Sequence, residues 1–196
     1  MTLPKSEPGS AQRAADILLQ GKIAILPTDT IYGFSALAVL DGKKSGLDQK
    51  IDQLKKSAAS KPLIELISDP KDIFKYSSQE IPSKILDKWP GPLTVIVQNN
   101  SWYRELTGRA TTAFRCPGDE WLRKVIAFCK SPVYSTSVNY TGSEPLLAQA
   151  DIEREFGPQV SLFVSDGDKL NAKASSLVSL EDGELRVLRQ GAVRID

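Results

Sequence analysis

Short apolar runs rich in β-branched residues recur along this chain, and between them the apolar positions fall at helical spacing. The clearest run is LTVIV at 93–97, delivered by the turn sequence WPGP at 89–92, and such a run reads as a buried strand. IAIL at 23–26, PLIELI at 62–67, TTAFRC at 111–116, PVYSTS at 132–137 and SLFVSDG at 161–167 read the same way. SSLVSL and ELRVLR, joined by Glu181-Asp182-Gly183, read as a closing hairpin. None of the runs approaches the ~20 residues of a membrane span.

The helical stretches are amphipathic. Residues 11–20 place Ala14, Ile17 and Leu18 on one face, with Ser10 as N-cap and Gly21 as stop. Residues 41–56 carry Leu47, Ile51 and Leu54 at spacings of four and three. Further helical patterns cover 71–76, 81–88, the stripe of Trp121, Val125, Ile126 and Cys129, and 148–156, while the stretch before TTAFRC reads as a polar loop. Strands and helices alternate without the regularity of a doubly wound fold, and the last two strands form a hairpin. The fold class is therefore α/β, with a mixed sheet, twisted and partly curled, whose strand order the pattern does not give. A chain of 196 residues, 41% hydrophobic, buries one substantial core, so one domain over 1–196 is expected. Residues 1–10, polar and proline-bearing, are expected to form a flexible tail, and with no apolar signal segment the expected setting is cytoplasmic.

Composition narrows the chemistry more than the fold. The sequence has no histidine, which removes Ser-His and Cys-His catalysis and His-ligated metals together. Cys116 and Cys129 are too few to frame a disulfide scaffold or a zinc site, and read as buried thiols. With 25 Lys+Arg against 24 Asp+Glu, any anion site has to be a local cluster. There is neither a dinucleotide-binding glycine turn nor a P-loop. A nucleotide would have to be held by lysines, arginines and hydroxyls.

Four segments offer such groups beside strand ends: PTDTIYG at 27–33, LKKSAASKPL at 54–63, FRCP at 114–117 and STSVNYTG at 135–142. Thr28 and Thr30 flank Asp29 just past a strand, where they either bind a small polar ligand or cap a chain reversal. Lys55, Lys56 and Lys61 crowd into one segment; like charges repel there unless they meet an anion, or they lie on a solvated helix end. Arg115 sits inside a strand-like run, so it lies in a polar pocket or reaches out from an edge. Ser137 and Asn139 share a face if the strand continues, although an Asx turn explains them as well.

Taken in order, PTDTIYG, KPL, WPGPLTVIV, FRCP, STSVN with its following TG, and LRQGAV resemble the YrdC-like threonylcarbamoyl-AMP synthases. The resemblance runs from about Gly21 to Val193 and implies a YrdC/RibB-like twisted α/β sheet with a deep, positively charged cavity. It implies synthesis of threonylcarbamoyl-AMP and pyrophosphate from L-threonine, bicarbonate and ATP, with Mg2+ on the phosphates. Other proteins would then transfer the threonylcarbamoyl group in the t6A modification of tRNA. By position, Thr30 would contact threonine, Lys55 and Lys61 the ATP phosphates, and Arg115 the threonine and carbamate side, the last three as the catalytic residues. Ser137 and Asn139 would hold the nucleotide, with Ser175 and Arg189 beside it. One departure stands out: Ser57 occupies the place where the family usually has an arginine, and Lys56, a point charge, does not replace a guanidinium fork.

The implied chemistry suits a chain without histidine. An anionic carbamate attacks the α-phosphate and expels pyrophosphate, so catalysis is positioning and charge neutralisation. Two other readings stay open on the sequence: a paralogue that kept the fold and altered the activity, and a module binding double-stranded RNA. The second sits poorly with the near-neutral charge and with aromatics that are not interleaved with cations.

Overall fold

In the computed structural model, which describes residues 1–57 and 62–195, the apolar runs become strands and the periodic stretches helices. In chain order the elements are β1 (Thr2–Pro4), α1 (Ser10–Leu19), β2 (Ala24–Leu26), β3 (Gly33–Leu37), β4 (Val39–Leu40), β5 (Lys43–Lys44), α2 (Leu47–Leu54), β6 (Ile64–Leu66) and a 3-10 turn at Pro70–Lys75. They continue with α3 (Ser83–Leu86), β7 (Leu93–Gln98), α4 (Ser101–Thr107), β8 (Thr111–Arg115), α5 (Glu120–Cys129), β9 (Val133–Ser137) and α6 (Gln149–Phe156). A second 3-10 turn at Gly157–Gln159 leads to β10 (Leu162–Ser165), β11 (Ser176–Ser179) and β12 (Arg186–Arg189).

A 10-stranded mixed sheet has the order β1-β10-β2-β3-β9-β6-β8-β7-β11-β12, and β4 and β5 pair separately. Side chains alternate across a strand, and that alternation divides the core. Leu37, Leu66 and Val133 pack with Leu18 of α1 and Val125 of α5 on one face. Phe34, Ala36 and Tyr134 pack with Ile51 of α2 and Phe156 of α6 on the other. Leu93, Val95, Val97 and Phe114 continue that second face and are covered by Ile85 and Tyr103. The intervening residues, Ser35, Thr94, Arg115, Ser135 and Ser137, therefore emerge on the face that carries α1 and α5. Of the residues that the motifs single out, Arg115 and Ser137 thus share one side of the sheet.

Several expectations change. The helix read over 41–56 is confined to Leu47–Leu54, because Gly42 and Gly46 take φ of 71° and 70° and Lys43–Lys44 turn back on Val39–Leu40. The supposed polar loop after β7 contains α4, whose start is capped by Asn100 Oδ1 accepting from the Tyr103 amide at 2.8 Å. The N-terminal segment is not a loose tail. Thr2–Pro4 extends the sheet in parallel beside β10, Leu3 is buried, and Lys5 Nζ bridges Asp119 and Asp166 at 2.5 and 3.0 Å. Gly9, not Ser10, caps α1; the Ser10 hydroxyl instead donates to the Lys5 carbonyl at 2.6 Å and accepts from Trp121 Nε1 at 2.9 Å. The closing hairpin is found as read, with β11 and β12 antiparallel.

Candidate functional site

The loop after β2 folds onto the polar face because its own hydroxyls close it. Thr28 Oγ1 donates to the Ile31 carbonyl at 2.8 Å and accepts from the Thr30 amide at 2.9 Å. The two threonine hydroxyls lie 2.9 Å apart. The hydroxyls that the motif singles out are thus the ones that close the turn, and both residues are buried.

Arg115, at the end of β8, is 4% exposed, so the edge-strand alternative for it is gone. Its guanidinium donates through Nη1 to Thr30 Oγ1 at 2.9 Å, through Nη2 to Asp29 Oδ1 at 2.6 Å and through Nε to the Gly91 carbonyl at 3.1 Å. A buried guanidinium satisfied by one carboxylate and neutral oxygens is held in a fixed plane.

Beside it, Thr94 Oγ1 and Ser175 Oγ lie 2.8 Å apart. Arg189, on β12, donates to the Ser175 carbonyl through Nε at 3.1 Å and Nη2 at 2.9 Å. Burial, and after it the like charge of Arg115, hold the Arg189 guanidinium below its ordinary range. An anion beside Arg189 would relieve that like charge. Gly191 lets the chain cross here, since a Cβ on it would lie 2.5 Å from the Ser175 carbonyl carbon.

The third cluster forms where β9 ends. Lys55, at the C-cap of α2, donates from Nζ to the carbonyls of Ser137 and Asn139 at 2.6 and 3.1 Å and to Asn139 Oδ1 at 2.8 Å. Ser137 Oγ donates to the same Oδ1 at 2.6 Å. Asn139 Nδ2 in turn donates to the carbonyls of Tyr140 and Ser143 at 2.9 and 2.7 Å. Burial pushes the Lys55 ammonium down to about 8, with the charge of Asp52 opposing the shift. Its donors are committed to the chain, so Lys55 would reach a phosphate only by releasing one of these contacts. Lys56 lies over the Tyr140 ring at 4.1 Å. Ser137 sits opposite Gly33 in the β3–β9 ladder, and a Cβ on Gly33 would meet Ser135 Oγ at 2.7 Å.

The structure thus joins Thr28, Thr30 and Arg115 in one cluster, Ser175 and Arg189 in a neighbouring one, and Lys55, Ser137 and Asn139 in a third. Lys61 lies outside the described residues. Asp29, Gly91 and Thr94, which lie inside the motifs PTDTIYG and WPGPLTVIV, belong to these clusters as well. The alternation of LTVIV does hold a signal for Thr94, the polar position between Leu93 and Val95. A concavity of about 560 Å³ lies elsewhere, around α4, lined by Asn99, Ser101, Arg104, Glu105 and Gly108, and it contains none of these residues. Among the described residues no helix is long and apolar enough to cross a membrane.

The Sua5/YciO/YrdC family model, described as telomere recombination, matches residues 16–191. A threonylcarbamoyl-AMP synthase of Idiomarina loihiensis is 28% identical over 160 residues, covering 78% of this chain and 84% of that protein. The crystal structure of Pyrococcus abyssi Sua5 complexed with L-threonine superposes with a TM-score of 0.82 at 25% identity. It covers 97% of this chain, which spans only 57% of the Sua5 chain. Escherichia coli YciO matches in fold, with a TM-score of 0.80 at 20% identity over 97% of this chain and 93% of its own.

Proposed function

Because this chain belongs to the Sua5/YciO/YrdC family, we propose that it is a threonylcarbamoyl-AMP synthase, joining L-threonine, bicarbonate and ATP with release of pyrophosphate. The observation that carries the reading is the gathering of Arg115, Thr28, Thr30, Ser175 and Arg189 on one polar face, in a fold that in P. abyssi Sua5 is complexed with L-threonine. We assign the threonine and carbamate end to Thr28, Thr30 and Arg115. Ser137, Asn139, Ser175 and Arg189 take the nucleotide, with Lys55 bracing Ser137 and Asn139 and Lys61 reaching the triphosphate. The threonine amine condenses with bicarbonate, releasing water. A carbamate oxygen then forms a bond to the α-phosphorus as the bond from that phosphorus to the pyrophosphate oxygen breaks. The protein aligns two anions and spreads the charge that develops between them.

Among the described residues there is no group of three or more acidic, cysteine or histidine side chains arranged to hold a metal, and Asp29 is paired with Arg115 at 2.6 Å. We propose that Mg2+ enters bound to the triphosphate, as is usual for a cation that keeps several waters. The product would pass to proteins that transfer the threonylcarbamoyl group to tRNA. The test is incubation with threonine, labelled bicarbonate, ATP and Mg2+, followed by mass spectrometry. Threonylcarbamoyl-AMP should form only with all of them present, and a labelled mixture without the adduct would refute the assignment.

A further inference from the structure

A second polar cluster is sealed on the opposite face of the sheet from Arg115 and Ser137. Glu65, central in β6 and fully buried, lies opposite Tyr134 of β9 and Phe114 of β8. Arg109, in the segment that follows α4, donates through Nη2 to Asp48 at 2.8 Å and through Nη1 to Glu65 at 3.3 Å. Its guanidinium carbon lies 5.7 Å from the centroid of the Tyr134 ring. The Tyr103 hydroxyl also donates to Glu65. Charges buried in this way are costly to desolvate, and apolar residues of similar volume often serve stability as well. A cluster of this kind calls for a purpose besides stability.

Its connections supply one. Asp48 stands in the first turn of α2 and Lys55 caps the other end of that helix. Tyr134 and Ser137 stand on β9. The helix and the strand are therefore tied twice. Arg109, over Tyr134, grips Asp48 at one end; at the other, Lys55 Nζ grips Ser137 and Asn139, and the Thr141 amide donates to the Lys55 carbonyl at 2.8 Å. An α-helix of this length is a rigid rod of ~12 Å, so fixing Asp48 fixes where Lys55 emerges.

We propose that Arg109 is a positioning residue for the nucleotide end of the site: by holding Asp48 and Glu65 it seats α2, and through α2 it sets the contact of Lys55 with Ser137 and Asn139. The functional half of this inference rests on the nucleotide assignment above; the structural half does not.

The test compares Arg109→Gln and Arg109→Lys with the wild type in two readouts. One is the pair of dissociation constants for ATP and for threonine by calorimetry. The other is the side-chain ammonium resonance of Lys55 by 15N NMR, assigned by its loss in Lys55→Met. Arg109→Gln should weaken ATP binding about fivefold or more, as expected for coupled neighbours, leave threonine binding within about twofold, and shift or broaden the Lys55 signal. Arg109→Lys should fall between it and the wild type. Val97→Ala, a core substitution in the other cluster of that face, should lower Tm without moving either readout. Should Arg109→Gln lower Tm while ATP affinity and the Lys55 resonance stay as in the wild type, or should both affinities fall alike, Arg109 is an internal ion pair only. If Arg109→Gln does not fold, Arg109→Lys and the Asp48→Asn/Glu65→Gln pair carry the same readouts. If the wild type binds no ATP, the proposed function falls, and the Lys55 resonance alone decides: unchanged in the variants overturns the positioning role, displaced upholds it.

Discussion

Arg115 and Thr30, 85 residues apart in the chain, meet through a 2.9 Å hydrogen bond from Nη1 to Oγ1. The same guanidinium holds Asp29 and the Gly91 carbonyl, so three separate motifs of the sequence converge on one side chain. Arg115→Lys keeps the charge and loses the fork. Loss of a preorganised charge-stabilising donor costs on the order of a hundredfold in kcat, and kcat and kcat/KM for threonine should fall together. A rise in KM alone, measured by steady-state pyrophosphate release, would place Arg115 in ground-state binding instead.

Lys55→Met removes the donor that Ser137, Asn139 and their turn share. Hydrogen bonds from a charged group contribute ~1.5–3 kcal/mol, so the KM for ATP should rise about tenfold to a hundredfold. The ammonium adds a pH signature. Burial lowers it from 10.5 to about 8 in the folded chain, so between those values the unfolded chain binds the extra proton. Lys55 therefore disfavours folding below about pH 8, and that cost is relieved as pH rises toward 10.5. ATP affinity should fall over the same rise; across pH 7–10, isothermal titration reads the affinity and urea unfolding the stability, in wild type and variant.

Glu65 titrates in the opposite sense. Burial raises its carboxyl from 4.5 to about 7, so between those values the folded chain keeps a proton that the unfolded chain has lost. The stability this confers is complete below pH 4.5 and is lost as pH rises through about 7. At 1.36 kcal/mol per unit the swing is on the order of 3 kcal/mol. Urea unfolding at a series of pH values should show this decline in the wild type and a flatter profile for Glu65→Gln.

Ser57 follows the lysine pair, with its amide donating to the Asp52 carbonyl at 2.9 Å. Restoring an arginine there adds the planar donor that the resemblance leads one to expect. Ser57→Arg should lower the KM for ATP about tenfold, in line with a charge-assisted hydrogen bond. An unchanged value would mean that this site holds its phosphates without that group.

How much of this was legible follows from what each signal depends on. LTVIV, TTAFRC and PVYSTS revealed strands because alternation and β-branching are local properties. Gly33–Leu37 escaped notice as a strand, since all five residues are buried and its one polar position, Ser35, follows a glycine and a single apolar residue, too short an alternation to read. α4 was hidden by polar residues whose helical start depends on the Asn100 cap. Residues 2–4 joined the sheet through pairing with β10, a contact no local pattern encodes. At the site, the residue types and their order were readable. That Lys55 spends its ammonium on Ser137 and Asn139, and that Asp29 and Thr94 complete the two arginine clusters, depended on strand order, which the pattern does not contain.

The central claim is that Arg115 and Thr30 present threonine carbamate to ATP held beside Arg189. Exchange of labelled pyrophosphate into ATP reads the reversal of that step directly. The account predicts exchange that requires both threonine and bicarbonate and is lost in Arg115→Lys. Exchange that proceeds equally well without threonine, or none although both substrates bind, would contradict it.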